Sequence, residues 1–131
     1  MYTIDLSGKT ALVFGIANQR SIAWAISERL AEAGAELAFT YLNERLKEPV
    51  EKTTAKLKNS LLLQCYATQD DQVEAVYDHI KNEWSEIDFV VHCIAYAERD
   101  DLGGDFSSTN IQGFRTALET SAYTLMPVVG K

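Results

Sequence analysis

The sequence predicts an α/β fold in which strands alternate with helices around one parallel sheet. Short apolar runs rich in strand-forming residues recur along the chain, and the segments between them carry apolar residues at helical spacing. Glycine and other turn residues separate the two kinds of segment. Strands and helices that alternate in this way form right-handed βαβ units, which place helices on both faces of a parallel sheet. We expect a single domain over residues 1–131.

The first predicted strand, residues 10–14, turns into a helix at residues 15–23, over a gap of the size of a phosphate. Gly15 lets the backbone turn without a Cβ atom, and a side chain there would fill the space in which a ligand approaches. The free N–H groups of the helix's first turn point toward an anion, and Ser21 adds a hydroxyl donor. Because no second or third glycine follows at the spacing of the dinucleotide fingerprint, these residues fit a phosphate site and a plain capped helix equally well.

This first helix is expected to continue to Ala33, before a left-handed C-cap at Gly34. Its apolar stripe, which should face the sheet, consists of Ile22, Ile26 and Leu30.

Three further strands are predicted at residues 36–41, 61–66 and 87–94, and the almost continuous apolar run of the last one indicates burial on both faces. In a Rossmann arrangement the four strands take the order 3-2-1-4. Cys65 and Cys93 then fall on opposite edges, too far apart for a disulfide. The ligand crevice lies at the strand ends that carry Gly15, Tyr41, Tyr66 and Ile94.

The remaining helices are predicted from apolar residues at helical spacing. The second helix has Pro49 in its first turn, the third is capped by Asp70 or Thr68, and Pro127 should end or kink the last. Their apolar positions are Leu46, Val50 and Leu57, then Val73, Val76, Tyr77, Ile80 and Trp84, and finally Phe114, Leu118, Ala122 and Leu125.

Composition excludes several classes of function. The chain has a formal net charge of -7 and a pI near 4.7, so we expect no nucleic-acid partner and no anionic membrane surface. No apolar run reaches membrane-spanning length, and the first residues lack the pattern of a signal peptide, so the expected location is cytoplasmic. Two cysteines make no metal site, and the acidic residues Asp100, Asp101 and Asp105 lack regular ligand spacing. We therefore expect no metal.

Five segments of the sequence carry a family resemblance. Residues 6–9, 15–23, 34–41, 88–95 and 104–106 resemble the enoyl-[acyl-carrier-protein] reductases of the bacterial short-chain dehydrogenase type. The resemblance implies hydride transfer from a nicotinamide cofactor, with NADH favoured over NADPH, to the 2-enoyl double bond of an acyl chain on its carrier protein. It also implies a homo-oligomer in which the last helix packs between subunits.

The same resemblance implies a set of site residues. Gly15, Ser21 and Ile22 match the positions that hold the pyrophosphate, and Ile94 with Ala95 match the strand end beside the nicotinamide ribose. Tyr96 and Ala97 match the start of the substrate-side wall.

The adenosine side departs from the family pattern. Tyr66, followed by Ala67, stands where the family usually has an Asp for the adenine amino group, and Leu42 stands where Gln is frequent. Tyr66 either stacks on the adenine or merely caps the end of its strand.

The family's catalytic Tyr and Lys are expected beyond residue 131, so the resemblance covers a truncated fold with no catalytic residue of its own. Tyr77 and Lys81 match the spacing of the wider superfamily, but Tyr77 belongs to an apolar helix stripe and is expected in the core. Among the other candidates, His92 is expected to be a hydrogen-bonded core histidine and Asp88 a turn residue. Two alternatives to an enzyme half are a non-catalytic Rossmann module that binds a nucleotide or partner chain, and a flavodoxin-like domain, which the first loop disfavours.

Overall fold

Four parallel strands form the centre of the computed structural model, which describes residues 3–131. The strands are β1 (Thr10–Phe14), β2 (Glu36–Tyr41), β3 (Leu61–Gln64) and β4 (Phe89–His92). The helices are α1 (Ile22–Glu32), α2 (Glu44–Thr54), α3 (Asp70–Ile80), α4 (Ile111–Leu118) and α5 (Leu125–Val129). The strand order β3-β2-β1-β4 confirms the predicted 3-2-1-4 sheet.

Helices cover both faces of the sheet, as predicted. Strand β1 is buried along its whole length, and its alternate residues point to opposite faces. Val13 packs on one side with Trp24 of α1 and Val50 of α2. Phe14 packs on the other side with Val73 of α3, in a cluster that also contains Val128 of α5. The sheet therefore has two apolar layers, and its strand ends stay open between them.

The buried face of α1 differs from the predicted stripe. Ile22 is 76% exposed and Ile26 is also exposed, whereas Ala23, Trp24 and Ser27 are buried. The small side chains of Ala23 and Ser27 let the helix backbone approach the sheet closely. Both sets of residues have helical spacing, so periodicity alone did not identify the face that packs.

Strand β4 is an edge strand in the described part of the chain. It pairs with β1 on one side, and no further strand lies on its other side in the described part of the chain. Phe89 is accordingly 38% exposed. Val91 packs against one apolar layer and Val90 against the other, so both faces are covered as predicted, although the residues of β4 are not fully buried.

Helix ends also differ from the predictions. Gln69, rather than Asp70 or Thr68, is the N-cap of α3, and no side chain caps it. Pro49 is the sixth residue of α2, beyond the first turn, where it has no N–H to give to the preceding turn. The predicted kink at Pro127 lies earlier, at a π-helical turn over Glu119–Tyr123, and the helix continues through Pro127 to Val129.

Asp88 has a larger role than the turn residue predicted. Its carboxylate lies 2.7 Å from Nζ of Lys9 and accepts a 2.9 Å hydrogen bond from the backbone N–H of Thr10. These contacts hold the pKa of Asp88 below its ordinary value, with the Lys9 hydrogen bond as the largest cause. Asp88 thus ties the beginning of β4 to the beginning of β1, at the end of the sheet away from its carboxyl edge. No helix over residues 3–131 has the length and apolar character needed to cross a membrane.

Candidate functional site

A cleft of about 350 Å³ lies at the carboxyl ends of the four strands. This is the edge of a parallel sheet where α/β proteins bind ligands. Tyr41, which the sequence placed at this crevice, is instead buried in the core beside Val50. The cleft is lined by Phe14, Gly15, Ile16, Ala17, Thr40, Leu42, Leu46, Cys65, Tyr66, Ala67, Thr68, Cys93, Ile94, Ala95, Tyr96, Thr120 and Thr124.

Gly15 forms the turn at the end of β1, with a φ of +101°. A Cβ atom at this position would point at the backbone of Cys93 rather than into the ligand's space, which corrects the reason given for this glycine. Glycine is required because β1 and β4 approach each other closely here and because the backbone is in the left-handed region.

Ser21 organises the loop that follows Gly15. Its Oγ accepts hydrogen bonds from the N–H groups of Ala17, at 3.0 Å, and Asn18, at 3.2 Å. Since the hydroxyl accepts both bonds, its own proton stays available to a ligand. In the described part of the chain, the N–H groups of Ile22 and Ala23 bond to no acceptor. Neither Ser21 nor Ile22 lines the cleft. The side chain of Ile22 points to solvent, so only its backbone N–H faces the loop.

Tyr66 lies at the end of β3 with its side chain 43% exposed on the cleft wall. Its backbone N–H donates to Oε1 of Gln72 at 2.7 Å, and the same oxygen accepts a bond from Gln64. Gln64 and Gln72 therefore satisfy the polar groups at the end of β3, and the Tyr66 ring is not needed to cap the strand. Ala67 is buried beside it, and burial raises the pKa of the neighbouring Cys65 thiol to about 11.

The end of β4 forms the opposite wall, where Ile94, Ala95 and Tyr96 line the cleft and Ala97 does not. The Tyr96 backbone is held twice by Ser121, whose Oγ accepts from its N–H at 2.9 Å and donates to its carbonyl at 3.0 Å. The Tyr96 hydroxyl donates to Glu98. This hydrogen bond is the largest cause that raises the pKa of Tyr96, and the Tyr66 phenol adds to it.

The π-helical turn supplies two residues that sequence reasoning missed. Thr120 and Thr124 line the cleft because this turn sets them over the end of β4. Thr124 donates to the Thr120 carbonyl at 2.7 Å, so its oxygen accepts from Nε2 of His92 at 2.8 Å. His92 is therefore hydrogen-bonded, as predicted, but it is half-buried on the edge strand and not in the core. The regular apolar spacing of this segment gave no sign of a π turn.

Charged side chains are absent from the described residues that line the cleft, and so are carboxamides. Across residues 3–131 no group of three or more His, Cys, Asp or Glu side chains is placed to hold a metal ion. Tyr77 packs in the core between α3 and α5, as predicted, and its hydroxyl donates to the carbonyl of Val128. The Tyr77 and Lys81 pair does not line this cleft.

The parallel sheet, its strand order and the cleft at its carboxyl edge define a Rossmann-type domain. The family model described as Enoyl-(Acyl carrier protein) reductase matches residues 15–130. The chain belongs to this family.

Individual relatives agree with the family match. The chain is 44% identical over 130 residues to the enoyl-[acyl-carrier-protein] reductase [NADH] FabI of Nostoc sp., covering 97% of this chain and 50% of the relative. It is 47% identical over 125 residues to the protein of the same name from Bacillus cereus, covering 94% of this chain and 49% of the relative. The chain spans about half the length of the curated relatives it matches.

Solved structures show the same fold. The Bacillus cereus enoyl-acyl carrier protein reductase, crystallised with NADP+ and indole naphthyridinone, superposes with a TM-score of 0.91 at 46% identity, over 96% of this chain and 50% of that structure. FabI from Candidatus Liberibacter asiaticus gives a TM-score of 0.92 at 31% identity, over 99% and 50%. The predicted truncation relative to the full family fold is confirmed by these coverages.

Proposed function

We propose that this chain binds a nicotinamide dinucleotide across the cleft, as the nucleotide-binding half of an enoyl-[acyl-carrier-protein] reductase. The observation that carries the proposal is the loop between Gly15 and Ser21, which reaches the cleft through Gly15, Ile16 and Ala17. The loop ends at the free hydroxyl proton of Ser21 and the unpaired N–H groups of Ile22 and Ala23. Family membership supports the same interpretation.

The pyrophosphate fits this loop. A helix N-terminus favours negative charge through its free N–H groups and its dipole, and here α1 presents the N–H groups of Ile22 and Ala23. The Ser21 hydroxyl can donate a further bond to a phosphate oxygen. Gly15 keeps the strand end close to β4, so that the loop and the cleft form one continuous surface.

The two ends of the dinucleotide are assigned to the two walls of the cleft. Tyr66 and Ala67 would hold the adenosine side, and Ile94 with Ala95 would lie beside the nicotinamide ribose. Tyr96 and Ala97 would begin the substrate-side wall. The cofactor supplies hydride when it is bound, and the apolar residues of the cleft would exclude water around it.

We propose NADH as the cofactor, because the relatives from Nostoc sp. and Bacillus cereus are named as NADH enzymes. The cleft itself does not favour NADH over NADPH, since no carboxylate lines its described wall to repel a ribose 2′-phosphate. The cytoplasmic location expected from the sequence stays a prediction.

The proposed substrate is an enoyl chain on its acyl carrier protein, as the names of the relatives indicate. Reduction of an enoyl group needs a proton donor and a group that stabilises the enolate. Among the described residues that line the cleft, there is no lysine, and the hydroxyl of Tyr96 already donates its proton to Glu98. The proposal therefore assigns these roles to the family's Tyr and Lys, which the resemblance places beyond residue 131.

Calorimetric titration of the purified chain with NADH and NADPH tests the binding step. We expect saturable binding at one site, tighter for NADH. A Ser108→Ala variant, altered at an exposed hydroxyl outside the cleft, should bind equally well. Absence of binding of either cofactor up to about 1 mM, where the free energy of binding is only about −4 kcal/mol, would reject the proposal.

A further inference from the structure

The described β3 side of the cleft offers no charged or amide side chain as an acceptor for the amino group of an adenine. No carboxylate or carboxamide belongs to the described lining residues. Two nearby backbone carbonyls are already engaged, because the Tyr66 carbonyl accepts from the N–H of Gln69 and the Leu42 carbonyl accepts from Gln64. Oε1 of Gln72 already accepts two bonds.

The polar side chains that remain on this side are hydroxyls. Tyr66 and Thr68 line the cleft, and a hydroxyl donates or accepts as its proton rotates. Such a group meets an amino group or a carbonyl on a base equally well. Discrimination between two bases requires a buried group that one of them leaves unpaired, and hydroxyls at a half-exposed wall do not provide one.

Tyr66 presents a planar aromatic surface instead. Its ring is half exposed on the cleft wall, and its backbone is held by Gln72, so the ring is oriented without being part of the core. Stacking on an aromatic side chain tolerates any base, because every base has a π face.

We propose that Tyr66 binds the dinucleotide's base by stacking, and that it recognises the base by its plane and not by its amino group. The chain should therefore accept a dinucleotide with hypoxanthine in place of adenine. This recognition mode deepens, and rests on, the proposed function of dinucleotide binding.

The test measures dissociation constants for two probes, NADH and reduced nicotinamide hypoxanthine dinucleotide. The wild type should bind both within about threefold, since no side chain on the described wall distinguishes them. Tyr66→Phe keeps the ring and should bind both as the wild type does. Tyr66→Leu removes the ring and should weaken both by on the order of tenfold.

Tyr66→Asp introduces a fixed acceptor and should create a preference for NADH over the hypoxanthine probe of on the order of tenfold. Tyr123→Leu is the matched control, because Tyr123 is an exposed tyrosine that does not line the cleft. It should change neither dissociation constant. Thermal melting of every variant shows whether it is folded.

A tenfold preference of the wild type for NADH would overturn the proposal, and so would unchanged affinities in a folded Tyr66→Leu variant. If Tyr66→Leu does not fold, the other two variants decide. Loss of affinity in Tyr66→Phe, or absence of a preference for NADH in Tyr66→Asp, also overturns the proposal. Failure of the wild type to bind either probe rejects dinucleotide binding itself, and base recognition with it.

Discussion

Gly15 and Cys93 lie so close that a Cβ atom on Gly15 would be 2.1 Å from the carbonyl oxygen of Cys93 and 2.5 Å from its carbonyl carbon. The contact joins the end of β1 to the end of β4 and forms the floor of the cleft. Because the obstructing atoms belong to the backbone, a side chain at residue 15 cannot be accommodated by a change of rotamer. The two strand ends would have to separate.

Gly15→Ala should therefore destabilise the fold, not merely block a ligand. Two costs add, the left-handed φ, on the order of 1–3 kcal/mol, and the displacement of β4. Gly8→Ala is the matched control, since Gly8 also has a positive φ, of 78°, but nothing within 4 Å of its Cβ position. Urea unfolding should show a larger loss of stability for Gly15→Ala. Equal losses in the two variants would contradict the close contact as a structural constraint.

Ser21→Ala should weaken dinucleotide binding by on the order of tenfold, because it removes a donor to the pyrophosphate and the acceptor for two loop N–H groups. Ser21→Thr keeps the hydroxyl and should restore most of the affinity. Titration with NADH measures both effects. If Ser21→Ala binds NADH as tightly as the wild type, the loop does not hold the phosphates.

Asp88 should make the fold sensitive to acid. Its folded-state pKa lies below the ordinary value of 3.8, chiefly because of the hydrogen bond from Lys9. Its ionised form therefore stabilises the fold above the unfolded pKa, and this contribution is lost as the pH falls below about 4 and through the folded value. Urea unfolding measured from neutral to acid pH should show this loss in the wild type.

Asp88→Asn should lower stability at neutral pH and flatten the dependence below pH 4. Asp100→Asn is the control, because Asp100 is an exposed carboxylate with no ion pair in the described part of the chain. NADH binding should be unchanged in both variants, since Asp88 lies at the opposite end of the sheet. An acid transition that persists unaltered in Asp88→Asn would refute this origin.

The sequence was sufficient for the elements because each βαβ unit is encoded locally, by an apolar run, a turn and an amphipathic segment. The strand order was predicted from the Rossmann arrangement that such units form. Strands β1 and β2 begin and end at the predicted residues. The face that α1 buries was not predictable in this way, because Ala23 and Ser27 owe their burial to the closeness of the helix and the sheet. That closeness is a tertiary property.

The candidate site was predictable where one segment supplies it, as with Gly15 and Ser21. The contributions of Thr120 and Thr124 were not predictable, because a π turn depends on how the last helical segment packs over β4. The family resemblance located Tyr66 as a departure, but its half-exposed ring and the role of Gln72 required the three-dimensional arrangement.

Enoyl reductase turnover by the 131-residue chain should be undetectable. General acid catalysis contributes about 10²–10⁴ in rate, and stabilisation of the developing oxyanion about 10²–10³, and no cleft-lining residue described here is suited to either role. Oxidation of NADH in the presence of an enoyl thioester measures it. Sustained turnover by the pure chain would show that its catalytic groups lie within these residues. If a longer native form of the protein also bound NADH without turnover, a non-catalytic nucleotide-binding module would be favoured.

Self-association of the chain is the last expectation, and it follows from its exposed apolar surfaces. Helices α4 and α5 expose Ile111, Phe114, Leu118, Met126 and Val129, and β4 is an open edge in the described sheet. Contiguous apolar surface and unpaired strand edges both recruit further chains. Light scattering should detect dimers or larger species. Phe114→Glu should shift the population toward monomer, because it places a charge within the apolar surface of α4, whereas Phe106→Glu, at a 95% exposed side chain outside that helix, should not. A wild-type monomer at high concentration would show that these surfaces do not associate.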